Sequence, residues 1–200
     1  MGEKFVVTIG REFGSGGNEI GKKLAEKLGI GFYDRNMLNI VAEKSGIKEQ
    51  FLEREDERAS NPFDEPYIPY GIDTGSLSER LFKMQTKLIK EKVEEESCVI
   101  VGRCSDYILR NMERACHVFI YADLGDRIAR VMERHHVDED SAYKIIKKQD
   151  KIRRSYYQYY TDHKWGTQEG KDLMINKSST GVDIAVNIII QYLKGKGYID

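Results

Sequence analysis

Five short apolar runs, set between stretches of helical periodicity, constrain the fold of this chain more than any other feature. Phe5-Val-Val-Thr-Ile9, Gly31-Phe-Tyr-Asp34, Cys98-Val-Ile-Val101, His117-Val-Phe-Ile-Tyr-Ala122 and Leu173-Met-Ile-Asn176 are too short for independent helices and nearly unbroken in apolar character. That is the pattern of strands covered on both faces, as in a parallel sheet. Residues 19–28 place Ile20, Leu24, Ala25 and Leu28 at helical spacing, and residues 77–95 do the same with Leu77, Leu81, Met84 and Leu88. Both segments predict amphipathic helices. Further helices are predicted over 36–44, 48–58, 105–110, 124–136, 138–160 and 181–193. Parallel strands need crossovers, and right-handed crossovers put helices on both sides of the sheet. The expectation is one α/β domain over residues 1–200, a five-stranded parallel sheet with helices on both faces.

Ligands of such sheets bind beyond the carboxyl ends of the strands. The segments to weigh are therefore 10–17, Asp34-Arg35, Gly102-Arg103, Asp123 and 176–178. A chain of 200 residues can fill one core. Its 32 basic and 33 acidic residues leave a net charge of −1, so no global field draws it to nucleic acid or a membrane, and any anion site must be local. Cys98, Cys104 and Cys116 are odd in number and lack metal-ligand spacing, which predicts reduced thiols and a cytoplasmic protein. No apolar run approaches the roughly 20 residues that span a bilayer. All three prolines, Pro62, Pro66 and Pro69, fall in a Pro/Tyr-rich stretch at about 59–76. It cannot continue a helix and reads as an insertion.

The first strand runs into Gly10-Arg-Glu-Phe-Gly-Ser-Gly-Gly17-Asn-Glu19 and then a helix. A helix N-terminus behind a glycine-rich turn presents backbone donors and a positive dipole to an anion. A Walker loop, G-x-x-x-x-G-K-[ST], adds a lysine for the terminal phosphates and a hydroxyl for magnesium. Here Arg11, Gly17, Asn18 and Glu19 stand at the chemically loaded positions, and the lysine is missing. A dinucleotide turn is a poorer fit, since Glu19 occupies the position that G-x-G-x-x-G reserves for a small residue. Arg11 either grips phosphate with its fork or pairs with Glu12. Ser15 is the one loop hydroxyl for magnesium, with Glu19 or Glu12 as carboxylate ligands. Alternatively Glu19 caps the helix and repels phosphate.

Residues 144–160 are basic and aromatic, with Arg153, Arg154, Tyr156, Tyr157, Tyr159 and Tyr160. Single-stranded nucleic acid suits such a surface, but the neutral balance of the chain argues against it. The tyrosines suit core packing or a homodimer, and the arginines a lid over phosphate. His117, His135, His136 and His163 show no ligand spacing.

Five motifs recur in order: 9–20, Phe32-Tyr-Asp34-Arg35, Val101-Gly-Arg103, Asp150-Lys-Ile-Arg153 and Asp172-Leu-Met-Ile-Asn176. Together they resemble the cytidylate kinase-like family over about residues 4–193. The resemblance implies a three-layer P-loop kinase-like fold with a small helical lid at about 138–165, and transfer of the terminal phosphate of ATP, with Mg2+, to a nucleoside monophosphate such as CMP or dCMP. It implies Arg153, with Arg154 beside it, as lid arginines that close over the transferred phosphate, and Gly14, Ser15, Gly16, Gly17 and Asn18 as the ATP phosphate loop. Asp34, Arg35, Arg103, Asp150 and Asp172 fall on acceptor-binding positions; the chemistry of the loop, rather than the resemblance, makes Arg11 the catalytic replacement for the lysine and Ser15 with Glu19 the candidates for the metal. The family's acids on both sides of Arg103 are replaced by Val101 and Cys104. A nucleotide- or anion-binding protein without catalysis, acting through a dimer or partner, is the alternative.

Overall fold

The structure is a computed structural model that describes residues 3–34 and 77–200. Arg35, the helices expected over 36–44 and 48–58 and the insertion at about 59–76 lie outside the described residues.

The elements follow one another as β1 (Val6–Arg11), α1 (Gly17–Leu28), β2 (Gly31–Tyr33), α2 (Leu77–Glu95), β3 (Cys98–Val101), α3 (Ser105–Ile108), β4 (Ala115–Tyr121), α4 (Leu124–His135), α5 (Glu139–Thr161), β5 (Leu173–Asn176) and α6 (Lys177–Gly195). The strands form one parallel sheet in the order β2-β3-β1-β4-β5. Side chains alternate along a strand with period two, and β1 shows the consequence. Val7 and Ile9 join a core with Ile20 and Leu24 of α1 and Ile189 and Leu193 of α6, while Val6 enters a second core with Leu81, Leu88 and Ile89 of α2. Ile9, Ile20, Leu24 and Ile189 have no exposed surface, so truncating one to alanine costs about 2–5 kcal/mol.

Two boundaries depart from the sequence pattern. The fourth strand begins at Ala115 rather than His117, because Ala115 and Cys116 pair with Val6 and Val7. The closing helix begins at Lys177, capped by Asn176, whose side chain accepts from Ser178 N, and Gly181 at φ 67°, ψ −176° breaks it. The expected start at 181 coincides with that break.

α5 is one helix of 23 residues with Asp138 accepting from Ser141 N at its start. Its tyrosines are spent inside the chain. Tyr160 stacks on Phe82 with ring centroids 4.0 Å apart, Tyr156 donates to Gln85 Oε1 (3.3 Å), and Tyr157 donates to Asp106 Oδ2 (2.9 Å). Of the four, only Tyr159 is exposed, at 50 %. Burial pushes the thiols of Cys98 and Cys116 up to about 12, and that of Cys104 higher still. Among the described residues no helix is long and apolar enough to cross a membrane.

Candidate active site

β1, β3 and β4 deliver two different surfaces to the carboxyl end of the sheet: the glycine loop at the N-terminus of α1, and a cavity of about 370 Å³ between the sheet and α5.

In the loop, Gly14 and Gly16 have φ of 80° and 85°, and Gly16 caps α1 without a side-chain hydrogen bond. The amides of the first helical turn have no partners within the helix. A Cβ on Gly16 would sit 3.7 Å from Arg130 Nη1 and 3.8 Å from Lys177 Cε, so a cation from α4 and one from α6 flank the turn. A Cβ on Gly17 would stand 2.6 Å from Arg11 Cβ. Arg11 at the end of β1 and any side chain at position 17 therefore exclude one another, which explains why the Walker lysine position is a glycine.

A buried ion cluster fixes the loop. Arg127, 6 % exposed, places Nη1 3.1 Å from Glu12 Oε2, donates from Nε to Phe13 O (2.8 Å) and pairs through Nη2 with Asp150. Phe13 N donates to Asp150 Oδ1 (2.8 Å), and Ala122 N donates to Glu12 (3.3 Å). This overturns two expectations. Glu12 is taken by Arg127 and a backbone amide and is not the partner of Arg11. Asp150, 9 % exposed and outside the cavity lining, has both oxygens in use and braces the loop, rather than binding an acceptor.

The metal expectations also fail on donor chemistry. Ser15 has no exposed surface, and its hydroxyl is shared between Glu12 O (2.9 Å) and Ile120 O (3.2 Å). Glu19 pairs with Arg130. Among the described residues no group of three or more His, Cys, Asp or Glu is placed to hold a metal ion. These side chains do not make a magnesium site.

The cavity is different in character. Arg11, Arg103, Arg153 and Lys171 line it, with Phe119, Tyr157 and Trp165 as aromatic walls. Gly102, Arg103 and Cys104 follow β3 with φ of 83°, 59° and 53°. Two consecutive non-glycine residues in the left-handed region cost on the order of 1–3 kcal/mol each, a strain typical of functional turns. Gly102 has no substitute, since a Cβ there would strike the Arg11 guanidinium. Arg153 donates from Nη1 to Arg11 O (3.1 Å) and lies 5.3 Å from the centre of the Phe13 ring. Burial pushes its guanidinium down to about 10, Asp150 offsets this in part, and Arg127 and Arg103 push the same way as burial. An anion beside it would favour the charged form.

The remaining sequence candidates are dispersed. Asn18 donates to Asp34 Oδ2 (2.8 Å) at the start of α1, away from the cavity. Arg154 is exposed, 6.0 Å from the Trp165 ring centre. Asp172 accepts from His117 N (2.7 Å) and Tyr192 OH (2.7 Å) toward the amino end of the strands, and is not brought to the acceptor side. Arg127, Arg130, Asp106, Trp165 and Lys171 were not singled out by sequence. Arg127 alone left a trace there, standing one turn before the buried Val131 on the inward face of α4.

Residues 6–179 match the cytidylate kinase-like family. The chain belongs to that family. Among solved structures it is similar to a protein from Eubacterium ventriosum, at 34 % identity over 96 % of this chain and 99 % of that one, with a TM-score of 0.74. A gluconokinase from Sinorhizobium meliloti (13 % identity, 99 % and 98 % covered, TM-score 0.55) and a shikimate kinase from Bacteroides thetaiotaomicron (14 %, 95 % and 98 %, 0.54) share its fold. No curated protein matches the chain in sequence. The sheet, the strand-end loop and the helical layers are those of a P-loop kinase, while the loop chemistry has been rearranged.

Proposed function

We propose that the chain transfers the terminal phosphate of ATP to a small anionic acceptor, with a nucleoside monophosphate such as CMP or dCMP as the first candidate. The observation that carries this reading is the position of Arg11. Its Cβ occupies the space a side chain at Gly17 would need, and its guanidinium lies on Gly102 at the mouth of the cavity, between a donor loop and an acceptor pocket. Phosphoryl transfer needs positioning and neutralisation more than covalent participation by the protein. The α1 amides with Arg130 and Lys177 hold the donor phosphates, and Arg103 and Arg153 the acceptor's phosphate. An oxygen of that phosphate attacks the γ-phosphorus, the bond from γ-phosphorus to the bridging oxygen breaks, and ADP leaves with the electron pair. Arg11 faces the charge on the transferred group. α5 and the turn to Trp165 act as the lid expected over 138–165. Magnesium arrives on the donor's own phosphates, and no step is routed through it.

The test follows ADP release with ATP, Mg2+ and a panel of nucleoside monophosphates, in wild type and Arg11→Met. Turnover with at least one acceptor, reduced about 10²–10³-fold in the variant, is expected. A protein that binds ATP but turns over no acceptor would sink the reading. The second reading, nucleotide binding without catalysis through a homodimer or partner, is favoured by one observation: Ser15 and Glu19 are both committed to protein partners.

A further inference from the structure

The strained turn that carries Arg103 opens onto α3, a helix of four residues. A single helical turn is too short to hold its own geometry. Its N-cap, Cys104, makes no side-chain hydrogen bond, so the turn is held by its surroundings. Leu109 anchors one side in the second core, and Asp106 anchors the side that lines the cavity. Lys171 Nζ lies 2.6 Å from Asp106 Oδ2, with side-chain exposures of 5 % and 10 %, and Tyr157 donates to that same oxygen (2.9 Å). Burial, and then Asp106, raise the pKa of Tyr157, which keeps its hydroxyl a donor.

The three members of this cluster sit on segments with different duties. Lys171 precedes Asp172, whose N–H donates to His117 O (2.7 Å) and whose carboxylate accepts from His117 N (2.7 Å), so its backbone is tied to β4. Asp106 stands three residues after Arg103, and Tyr157 four residues after Arg153 on α5. Residues four apart share one face of a helix. The Tyr157–Asp106 hydrogen bond therefore joins the segment that carries one cavity guanidinium to the segment that carries another, and Lys171 fixes the joint to the sheet. Something must hold these segments together. Burial first, with Arg127 and Arg103 acting the same way, pushes the pKa of Arg153 down, so Arg103 and Arg153 are near enough to repel.

We propose that Tyr157 is a positioning residue whose hydrogen bond to Asp106, neutralised by Lys171, sets the separation at which Arg103 and Arg153 grip one phosphate group together. The proposal rests on the acceptor reading of the cavity. A misplacement of about 1 Å can cost on the order of 10²-fold in a site built on such geometry. Loosening the joint thus reaches the site even where the fold is kept.

Tyr157→Phe deletes the hydroxyl, keeps the ring and leaves Asp106 paired with Lys171. Equilibrium dialysis measures the binding of radiolabelled inorganic phosphate, with excess ADP to fill the donor loop, in wild type, Tyr157→Phe, Arg153→Met and the double variant. The affinity for ADP itself is measured in parallel. Tyr157→Phe should bind phosphate about 3- to 10-fold more weakly and ADP within about twofold of wild type. In the Arg153→Met background the same substitution should cost less than about twofold, because the hydroxyl acts through Arg153. A parallel loss of phosphate and ADP affinity, a loss that persists without Arg153, no loss at all, no phosphate uptake by wild type, or a Tyr157→Phe chain that does not fold each overturns the proposal. The selective phosphate effect in a protein that turns over no acceptor would keep the joint and remove the kinase reading. Turnover with an acceptor KM that Tyr157→Phe leaves unchanged would do the reverse.

Discussion

The glycine loop and the cavity beneath α5 lie on either side of Arg11, and they handle charge in opposite ways. In the loop, cations are matched at once: Arg127 by Glu12 and Asp150, Arg130 by Glu19. The cavity is lined by the guanidinium groups of Arg11, Arg103 and Arg153 together with the Lys171–Asp106 ion pair. One region is braced by ion pairs and the other is rich in guanidinium groups. In an ordinary P-loop, lysine and hydroxyl put cation and metal in the loop itself. Here the loop supplies shape and backbone donors, flanked by Arg130 and Lys177, and further guanidinium groups stand at a strand end, a strained turn and a helix.

The strongest test of that contrast removes the brace. Arg127→Met leaves the buried Asp150 and the half-buried Glu12 without their cation and should destabilise the fold by about 3–5 kcal/mol, measured by urea denaturation. If the cluster serves compensation, the triple variant Glu12→Gln, Arg127→Met, Asp150→Asn recovers most of that loss. A triple variant no more stable than the single would show that the guanidinium's geometry matters rather than its charge.

Next in size is an attempt to put the charge back in the loop. Gly17→Lys alone should lower kcat about 10²–10³-fold, because the new Cβ displaces Arg11. Arg11→Gly combined with Gly17→Lys removes the clash and should regain part of that loss. Full activity in the single variant would break the claim that the two side chains exclude one another.

On the cavity side, Arg153→Met should separate activity from stability. It should lower kcat about 10-fold or more with little change in ATP affinity, while thermal stability changes little, since Arg153 is half-buried and makes one hydrogen bond, to the carbonyl of Arg11. Loss of stability on the scale of Arg127→Met would erase the distinction between the regions.

The smallest effect is a pH dependence under the cavity floor. His117 shares a 2.8 Å hydrogen bond with Thr8 Oγ1, and burial lowers its pKa from 6.5, with Asp106 and Asp172 pulling the other way. The unfolded chain therefore takes up the proton first as pH falls. Stability should decline below pH 6.5 toward the lower folded value, and His117→Gln should flatten that part of the profile by about 1 kcal/mol or less.

The sheet was legible because apolar runs of four to six residues between helical periods have few alternatives, and 98–101 and 173–176 fall where the pattern puts them. Arg11 and Arg103 were legible because they directly follow or end such runs. Asp150 was misread for a physical reason. Spacing places it one turn before Arg153 but does not say which neighbour meets it, and Arg127, from another helix, does. Asp106 comes from α3, and Trp165 and Lys171 from the connection between α5 and β5, so their meeting depends on tertiary packing. Ser15 kept the residue type that magnesium requires, yet the turn aims its hydroxyl at Ile120 O.

Asp150 holds the loop through Phe13 N, and Arg153, three residues and about 4.5 Å further along the same rigid helix, reaches the cavity and the carbonyl of Arg11. A displacement of α5 cannot be confined to one region. An acceptor that drew Arg153 inward would shift the hold on the loop, and donor and acceptor would then each change the other's affinity by the same factor, so that the order of their arrival would be a property of one helix.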